Sequence, residues 1–290
     1  MKTQEASNSA AIIAAHRAFD SAKPVAERIC YDPYAKQFAG PSFTVIGEMD
    51  MPAETALELF NALVPGFHEF FLARTRYIDD ILKECIADGL EQLVILGAGY
   101  DSRAYRFKEI KEQAIVFEVD HPATQQVKME RVKDTFGELP GHVHYIPVDF
   151  QKENLADHLS VHGYDRNKKT FFIWEGVTMY IEADAVDAVL DYISSDSGPG
   201  SSVIFDFTTP DVITGDCERP EAKAWLKRSH EKGEPLMFGV ATNALKDFLA
   251  ARGFREVNFI GRDFFNNTYF KGIHSEREVT PILLIAYATV

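Results

Sequence analysis

The sequence predicts a doubly wound α/β protein: a seven-stranded, mostly parallel sheet with an N-terminal helical cap and a lid-like insertion. Three observations predict it. Between residues 91 and 207, five short runs rich in Val, Ile and Phe alternate with helical segments. The first run passes straight into a Gly-x-Gly turn, and two further apolar runs close the chain behind a polar stretch carrying Pro210, Pro220 and Pro235.

The elements follow in order. Residues 1–90 form a helical cap, because Phe67, Phe70, Phe71, Arg74 and Ile78 recur at spacings of three and four, with Asp32-Pro33 and Pro65-Gly66 as breaks. Residues 91–207 form a cofactor-binding core. Its strands are expected at 93–96, 115–119, 143–148, 171–174 and 203–207, nearly continuous in apolar residues, as in a parallel sheet covered on both faces. Helices are expected between them at 122–136, 154–162 and 182–195. Pro122 suits a first helical turn, where its missing N–H costs nothing, and Ser197-Gly198-Pro199-Gly200 ends the last helix. The lid-like insertion spans 208–240. Residues 241–290 supply a helix over 244–252, stopped at Gly253, and strands near 257–260 and 282–287, the last able to run antiparallel. The whole reads as one domain.

Composition excludes several classes. The chain has 290 residues, 46% hydrophobic and 26% charged, which is enough for a full core and excludes disorder. Its formal net charge of −14, without a local basic patch, argues against nucleic acid as a partner. Apolar runs fall far short of the roughly 20 residues needed to span a bilayer, so no membrane partner is expected. The N-terminus has no secretory pattern, and Cys30, Cys85 and Cys217 are too scattered for a disulfide framework, so a reduced, cytoplasmic setting is expected. His142 with His144, and His158 with His162, lack a neighbouring Glu or thiolate set, and no metal is expected.

The segment Val94-Ile95-Leu96-Gly97-Ala98-Gly99-Tyr100-Asp101-Ser102-Arg103 joins a strand to a helix through glycines that admit close approach to the backbone. About 20 residues on, Asp120 ends the next strand, where a nucleoside's ribose hydroxyls would lie. A dinucleotide fold of the Rossmann type wants glycine at the sixth position of the turn; Ser102 stands there. Tyr100 and Asp101 also oppose two phosphates, whereas a sulfonium cation tolerates them.

These blocks, running from Leu96 to Arg106 and from Phe117 to Pro122, resemble the signature of the leucine carboxyl methyltransferase family, which includes polyketide carboxyl O-methyltransferases. Asp32-Pro33-Tyr34-Ala35, Ala73-Arg74-Thr75-Arg76, Val148-Asp149-Phe150 and Trp174-Glu175-Gly176-Val177-Thr178-Met179-Tyr180 resemble its other blocks in order. The resemblance covers roughly residues 17–207. It implies a class I methyltransferase fold using S-adenosyl-L-methionine, with S-adenosyl-L-homocysteine as product. Carried over, Gly97 lines the methionine portion and Gly99 belongs to the same turn. Asp120 holds the ribose, Asp149 and Phe150 meet the adenine, and Glu175 lies near the methionine. Arg74 matches the arginine that binds the cofactor carboxylate; Arg76, about 200° round the helix, cannot share that role. A further basic residue of the family corresponds to Arg17 or Lys23.

The expected activity is methylation of a small molecule's carboxylate. Such an acceptor is already ionised at neutral pH, so an acid–base residue is not required, whereas a phenol acceptor would need a base such as His121. The alternatives are a protein C-terminal carboxylate as acceptor, a nicotinamide-dependent oxidoreductase, and a binding module without turnover. Substrate choice is expected in the N-terminal helices and residues 208–238, with Phe67, Phe70, Phe71, Phe264, Phe265 and Phe270 as pocket or core.

Overall fold

The computed structural model describes residues 6–40, 53–150 and 152–290. Among the described residues four helices precede the sheet: α1 (Asn8–Ser21), α2 (Ala35–Ala39), α3 (Ala53–Leu63) and α4 (Phe67–Ala87). Ser7 caps α1 by accepting a hydrogen bond from the Ala10 amide at 3.1 Å. The core then runs β1 (Gln92–Leu96), α5 (Arg103–Arg106), α6 (Lys108–Gln113), β2 (Ile115–Asp120), α7 (Pro122–Phe136), β3 (Val143–Pro147), α8 (Leu155–Val161), β4 (Thr170–Trp174), α9 (Ala183–Ser195) and β5 (Ser202–Phe207). After it come α10 (Pro210–Thr214), α11 (Pro220–Glu231), α12 (Leu245–Ala250), β6 (Val257–Ile260), α13 (Arg262–Thr268) and β7 (Leu284–Thr289).

The seven strands order as β3-β2-β1-β4-β5-β7-β6. The first five in the chain are mutually parallel, and β7 pairs antiparallel with both β5 and β6. This is the doubly wound sheet expected from the βα rhythm. Successive side chains of a strand point to opposite faces, so each strand feeds two cores. Leu93 and Ile95 pack with α4, whereas Val94 and Leu96 pack with the residues of α8, α9 and α12. Strand order reverses between β1 and β4, which opens a crevice at their carboxyl ends.

The structure shifts one expected boundary and adds helices. The last strand begins at Leu284, opposite Phe207, rather than at Ile282, because the Ile282 carbonyl is taken by the Thr208 hydroxyl at 2.8 Å. Within the stretch after β5, Pro210 and Pro220 start α10 and α11, at a position where proline's fixed φ favours the helix. Helix α13 was not expected, and it buries Phe265. Among the described residues no helix is long and apolar enough to cross a membrane.

One buried charge pair supports the glycine turn from below. Glu118 on β2 lies 2.8 Å from Lys128 Nζ of α7, accepts from the Tyr105 hydroxyl at 3.0 Å, and is wholly buried with Lys128. Burial pushes the Glu118 carboxyl from the ordinary 4.5 up to about 7, against the pull of Lys128. A carboxyl raised in the folded state contributes stability that is fully present below pH 4.5 and lost as pH rises through about 7. Between pH 5 and 8 this is on the order of 2 kcal/mol. Urea unfolding of wild type and Glu118→Gln at both pH values is expected to show a smaller stability change with pH in the variant by that amount; parallel curves would remove Glu118 as the source.

Candidate active site

The carboxyl ends of five parallel strands open onto one cavity of about 1360 Å³. Its floor follows the sheet order: Asp149 and Phe150 after β3, Asp120 at the end of β2, Gly97 and Gly99 after β1, Glu175 after β4, and Asp206 on β5. At roughly 4.8 Å per strand this row is about 19 Å long. Ligand pockets commonly enclose about 300–1,000 Å³, so the space suits two ligands side by side. All seven residues singled out from the sequence, Arg74, Gly97, Gly99, Asp120, Asp149, Phe150 and Glu175, line it.

The glycine turn is shaped by the protein itself. Gly97 holds φ at +64° and Gly99 at +45°. A Cβ on Gly97 would meet Val177 Cγ2 at 2.2 Å, so the close approach here is a side chain from the loop after β4. Asp120 folds back on the turn: one carboxylate oxygen accepts from the Gly99 amide and the other from the His121 amide at 2.6 Å. Burial raises the Asp120 pKa against those two hydrogen bonds. A carboxylate has about four acceptor sites, so capacity for two hydroxyl donors is left. His121 lines the cavity, and its Nδ1 accepts from the Ala123 amide at 3.3 Å, capping α7. Asp149 pairs with Lys152 at 2.7 Å, and Val148, Phe150 and Leu155 give this end an apolar slot.

Beside the turn lies a cluster of buried charges. Arg74, on α4 and 2% exposed, pairs with Asp206 and lies 2.9 Å from Glu175 Oε1. Arg103 Nη1 reaches Glu175 Oε2 at 2.9 Å and also bonds Asp101, while its Nε bonds Asp79 at 2.8 Å. Burial pushes the Glu175 carboxyl up, but Arg74 and Arg103 outweigh it and hold it below its ordinary value. Burial leaves Asp206 raised despite Arg74. Arg74 Nη2 is the atom paired with Glu175, whereas Arg74 Nε is buried without a hydrogen-bond partner, so the guanidinium retains one donor beside the cavity. Arg76 is half-exposed, pairs with Asp80 at 2.8 Å, and is not on the wall.

Neither candidate for the second basic residue lines the cavity. Arg17 is buried and donates to the Tyr100 carbonyl at 2.6 Å and to Asp32 at 3.0 Å, which ties α1 to the glycine turn. Lys23 pairs with Asp20 at 2.8 Å and faces a smaller surface pocket. The other end of the cavity is aromatic. Phe60, Phe71, Phe67, Trp225 and Tyr180 form a chain of ring contacts at 6.2, 6.0, 5.4 and 6.4 Å. Phe70, Phe265 and Phe270 are core, and Phe264 is exposed. The stretch after β5 closes over this end, where Ser9 Oγ donates to Glu234 at 2.8 Å.

Sequence reasoning missed Asp206 and Arg103. Asp206 had a signal, a lone carboxylate inside an apolar strand. Arg103, in the block that resembles the family's signature, braces Glu175. Helix α11 lies within the stretch 208–238 where substrate choice is expected, and its Trp225, Arg228 and Ser229 line the cavity. His142 bonds the Ala104 carbonyl at 2.9 Å and His144 stacks on Phe117, and no metal-holding group of His, Cys, Asp and Glu occurs among the described residues.

Comparisons agree with this geometry. The family model for leucine carboxyl methyltransferase matches residues 10–194. A Bacillus subtilis (strain 168) protein, YktD, named for S-adenosyl-L-methionine-dependent methyl transfer, is 33% identical over 199 residues, 69% of this chain, and the match spans 65% of that relative's length. A Mycolicibacterium vanbaalenii protein named for the same activity is 30% identical over 88% of this chain and 85% of its own. Among solved structures, one from Thermobifida fusca YX, described as a methyltransferase, superposes with a TM-score of 0.62 at 12% identity, covering 99% of this chain and 96% of that one. A DUF574 family protein from Streptomyces avermitilis gives 0.59 at 10%, over 99% and 98%. The row of strand-end residues, the sheet order and the matched family model together place the chain in the leucine carboxyl methyltransferase family, S-adenosyl-L-methionine-dependent methyltransferases of class I fold.

Proposed function

We propose that the protein is an O-methyltransferase that esterifies the carboxylate of a small, largely apolar molecule. The observation that carries this reading is the recessed aromatic compartment beside the Glu175–Arg74 cluster, walled by α1, α3, α4 and α11. A peptide tail would ask for an open groove there.

The residues present fit the cofactor. Arg74's positive charge and its one unpartnered nitrogen, Nε, suit a carboxylate, the remaining acceptor sites of Asp120 suit ribose hydroxyls, and the Val148, Phe150 and Leu155 slot beside Asp149 suits an adenine ring. Bound there, S-adenosyl-L-methionine supplies an electrophilic methyl group on a sulfonium. At full ionisation the cluster sets Asp79, Asp101, Glu175 and Asp206 against Arg74, Arg103 and Arg106, leaving a surplus of negative charge that favours a cation.

The same cluster makes a poor base. Glu175 is held ionised between two guanidiniums, Asp206 is engaged by Arg74, and burial lifts the Tyr180 hydroxyl to about 12. An acceptor that arrives ionised needs none. What the chain contributes is exclusion of water and alignment of the acceptor oxygen, an effect that reaches about 7–11 kcal/mol in favourable systems.

Two experiments test the reading. With S-adenosyl-L-methionine and matched panels of apolar acids, alcohols and phenols, methyl esters are expected from the acids alone, at a rate nearly flat from pH 6 to 9 because carboxylates ionise near pH 4. Methylation confined to phenols, rising towards pH 10, would overturn it. Calorimetry with S-adenosyl-L-homocysteine is expected to show roughly tenfold or greater weakening in Asp120→Ala and in Arg74→Lys, which keeps the charge but loses the fork. Arg76→Ala should bind as wild type; equal effects at Arg74 and Arg76 would refute the assignment.

A further inference from the structure

An anionic acceptor meets an electrostatic difficulty in this cavity. Acidic side chains on the wall, among them Asp120, Asp149, Glu153, Glu175, Asp206 and Glu234, outnumber the basic ones, and the whole chain carries −14. The lysines and arginines on the wall are Arg74, Lys152, Arg228 and Lys232. Arg74 is committed to Glu175 and Asp206, Lys152 to Asp149, and Lys232 is also engaged. Arg228 differs. It is half-buried, and its guanidinium has no hydrogen-bond or ion-pair partner among the described residues.

Its place on α11 matters as much as its charge. Trp225, Arg228, Ser229 and Lys232 recur at helical spacing and all face the cavity. One turn before Arg228, the Trp225 ring packs edge-on to Phe67 at 5.4 Å and bonds the Tyr180 hydroxyl at 3.3 Å. The wall is therefore aromatic along Phe60, Phe71, Phe67 and Trp225 and ends in an uncommitted planar cation.

We propose that Arg228 binds the acceptor's carboxylate, and that the acceptor is a single-headed acid whose apolar body lies along that aromatic wall. The proposal rests on the carboxylate reading given above. A guanidinium presents two parallel N–H donors matched to a carboxylate, which fixes the head group's orientation as well as offsetting the surrounding negative field. A structural role is also available to a cation in the last turn of a helix, where it complements the macrodipole. That role predicts a change in stability and none in acceptor affinity.

The test uses the full chain saturated with S-adenosyl-L-homocysteine, titrated with decanoate and 4-phenylbutyrate and with their primary amides. Trp225 reports locally by fluorescence, since the other tryptophan, Trp174, is sealed in β4. The acids are expected to bind at least tenfold more tightly than the amides. Arg228→Gln should remove that preference while leaving the affinity for S-adenosyl-L-homocysteine and for the amides unchanged, and Arg228→Lys should restore part of it. Equal acid affinity in wild type and Arg228→Gln, amides binding as well as acids, or no binding of either acid would each overturn the proposal. So would a lowered unfolding midpoint with acid affinity intact. Methyl-ester formation separates the two readings: acid binding that depends on Arg228 without ester would sink esterification alone, and ester formed with an unchanged KM in Arg228→Gln would sink the role of Arg228 alone.

Discussion

The requirement that buried charge be paired organises this molecule around Glu175. Taking a carboxylate out of water costs several kcal/mol unless partners compensate. Glu175 obtains its partners from two elements that are distant in the chain, Arg74 on α4 and Arg103 on α5. Each guanidinium is then shared. Arg74 reaches Asp206 on β5, and Arg103 reaches Asp101 after the glycine turn and Asp79 one helical turn beyond Thr75, whose carbonyl it also bonds. The cluster thereby locks the N-terminal helices to the carboxyl edge of the sheet. Removing any single arginine would leave a buried carboxylate uncompensated, at a cost of about 3–5 kcal/mol.

The glycine turn depends on the same logic at smaller scale. Its amide at Gly99 is held by Asp120, its carbonyl at Tyr100 by Arg17, and Ala98's carbonyl lies 3.4 Å from Lys128, the partner of Glu118. Val177 occupies the space that a side chain on Gly97 would need. The turn is thus held by protein contacts from four directions, an arrangement that favours a preorganised binding surface. Catalysis that depends on alignment rather than proton transfer is served by such rigidity.

The two halves of the cavity answer to different constraints. The half over β3, β2 and β1 is built from strand ends, whose positions the sheet dictates. The other half is built from helix faces of α1, α3, α4 and α11, which can change without disturbing strand pairing. Here the aromatic contacts run between residues as far apart as Phe67 and Trp225, and the hydrogen bond from Ser9 to Glu234 closes the far side.

What the sequence determined by itself was the sheet and the row of residues along its edge. Strands buried on both faces read as unbroken Val, Ile and Phe runs, and a parallel βα rhythm forces Gly97, Asp120, Asp149 and Glu175 to one edge whatever else the chain does. Periodicity also separated Arg74 from Arg76. Tertiary structure alone decided the partners. Arg74 meets Asp206 across 132 positions, and Arg17 turns to the Tyr100 carbonyl rather than to the cavity. Periodicity is a local property, with a reach of one or two helical turns. Which buried charge satisfies which is settled by the packing of elements far apart in the chain, and that choice leaves no periodic trace in the sequence.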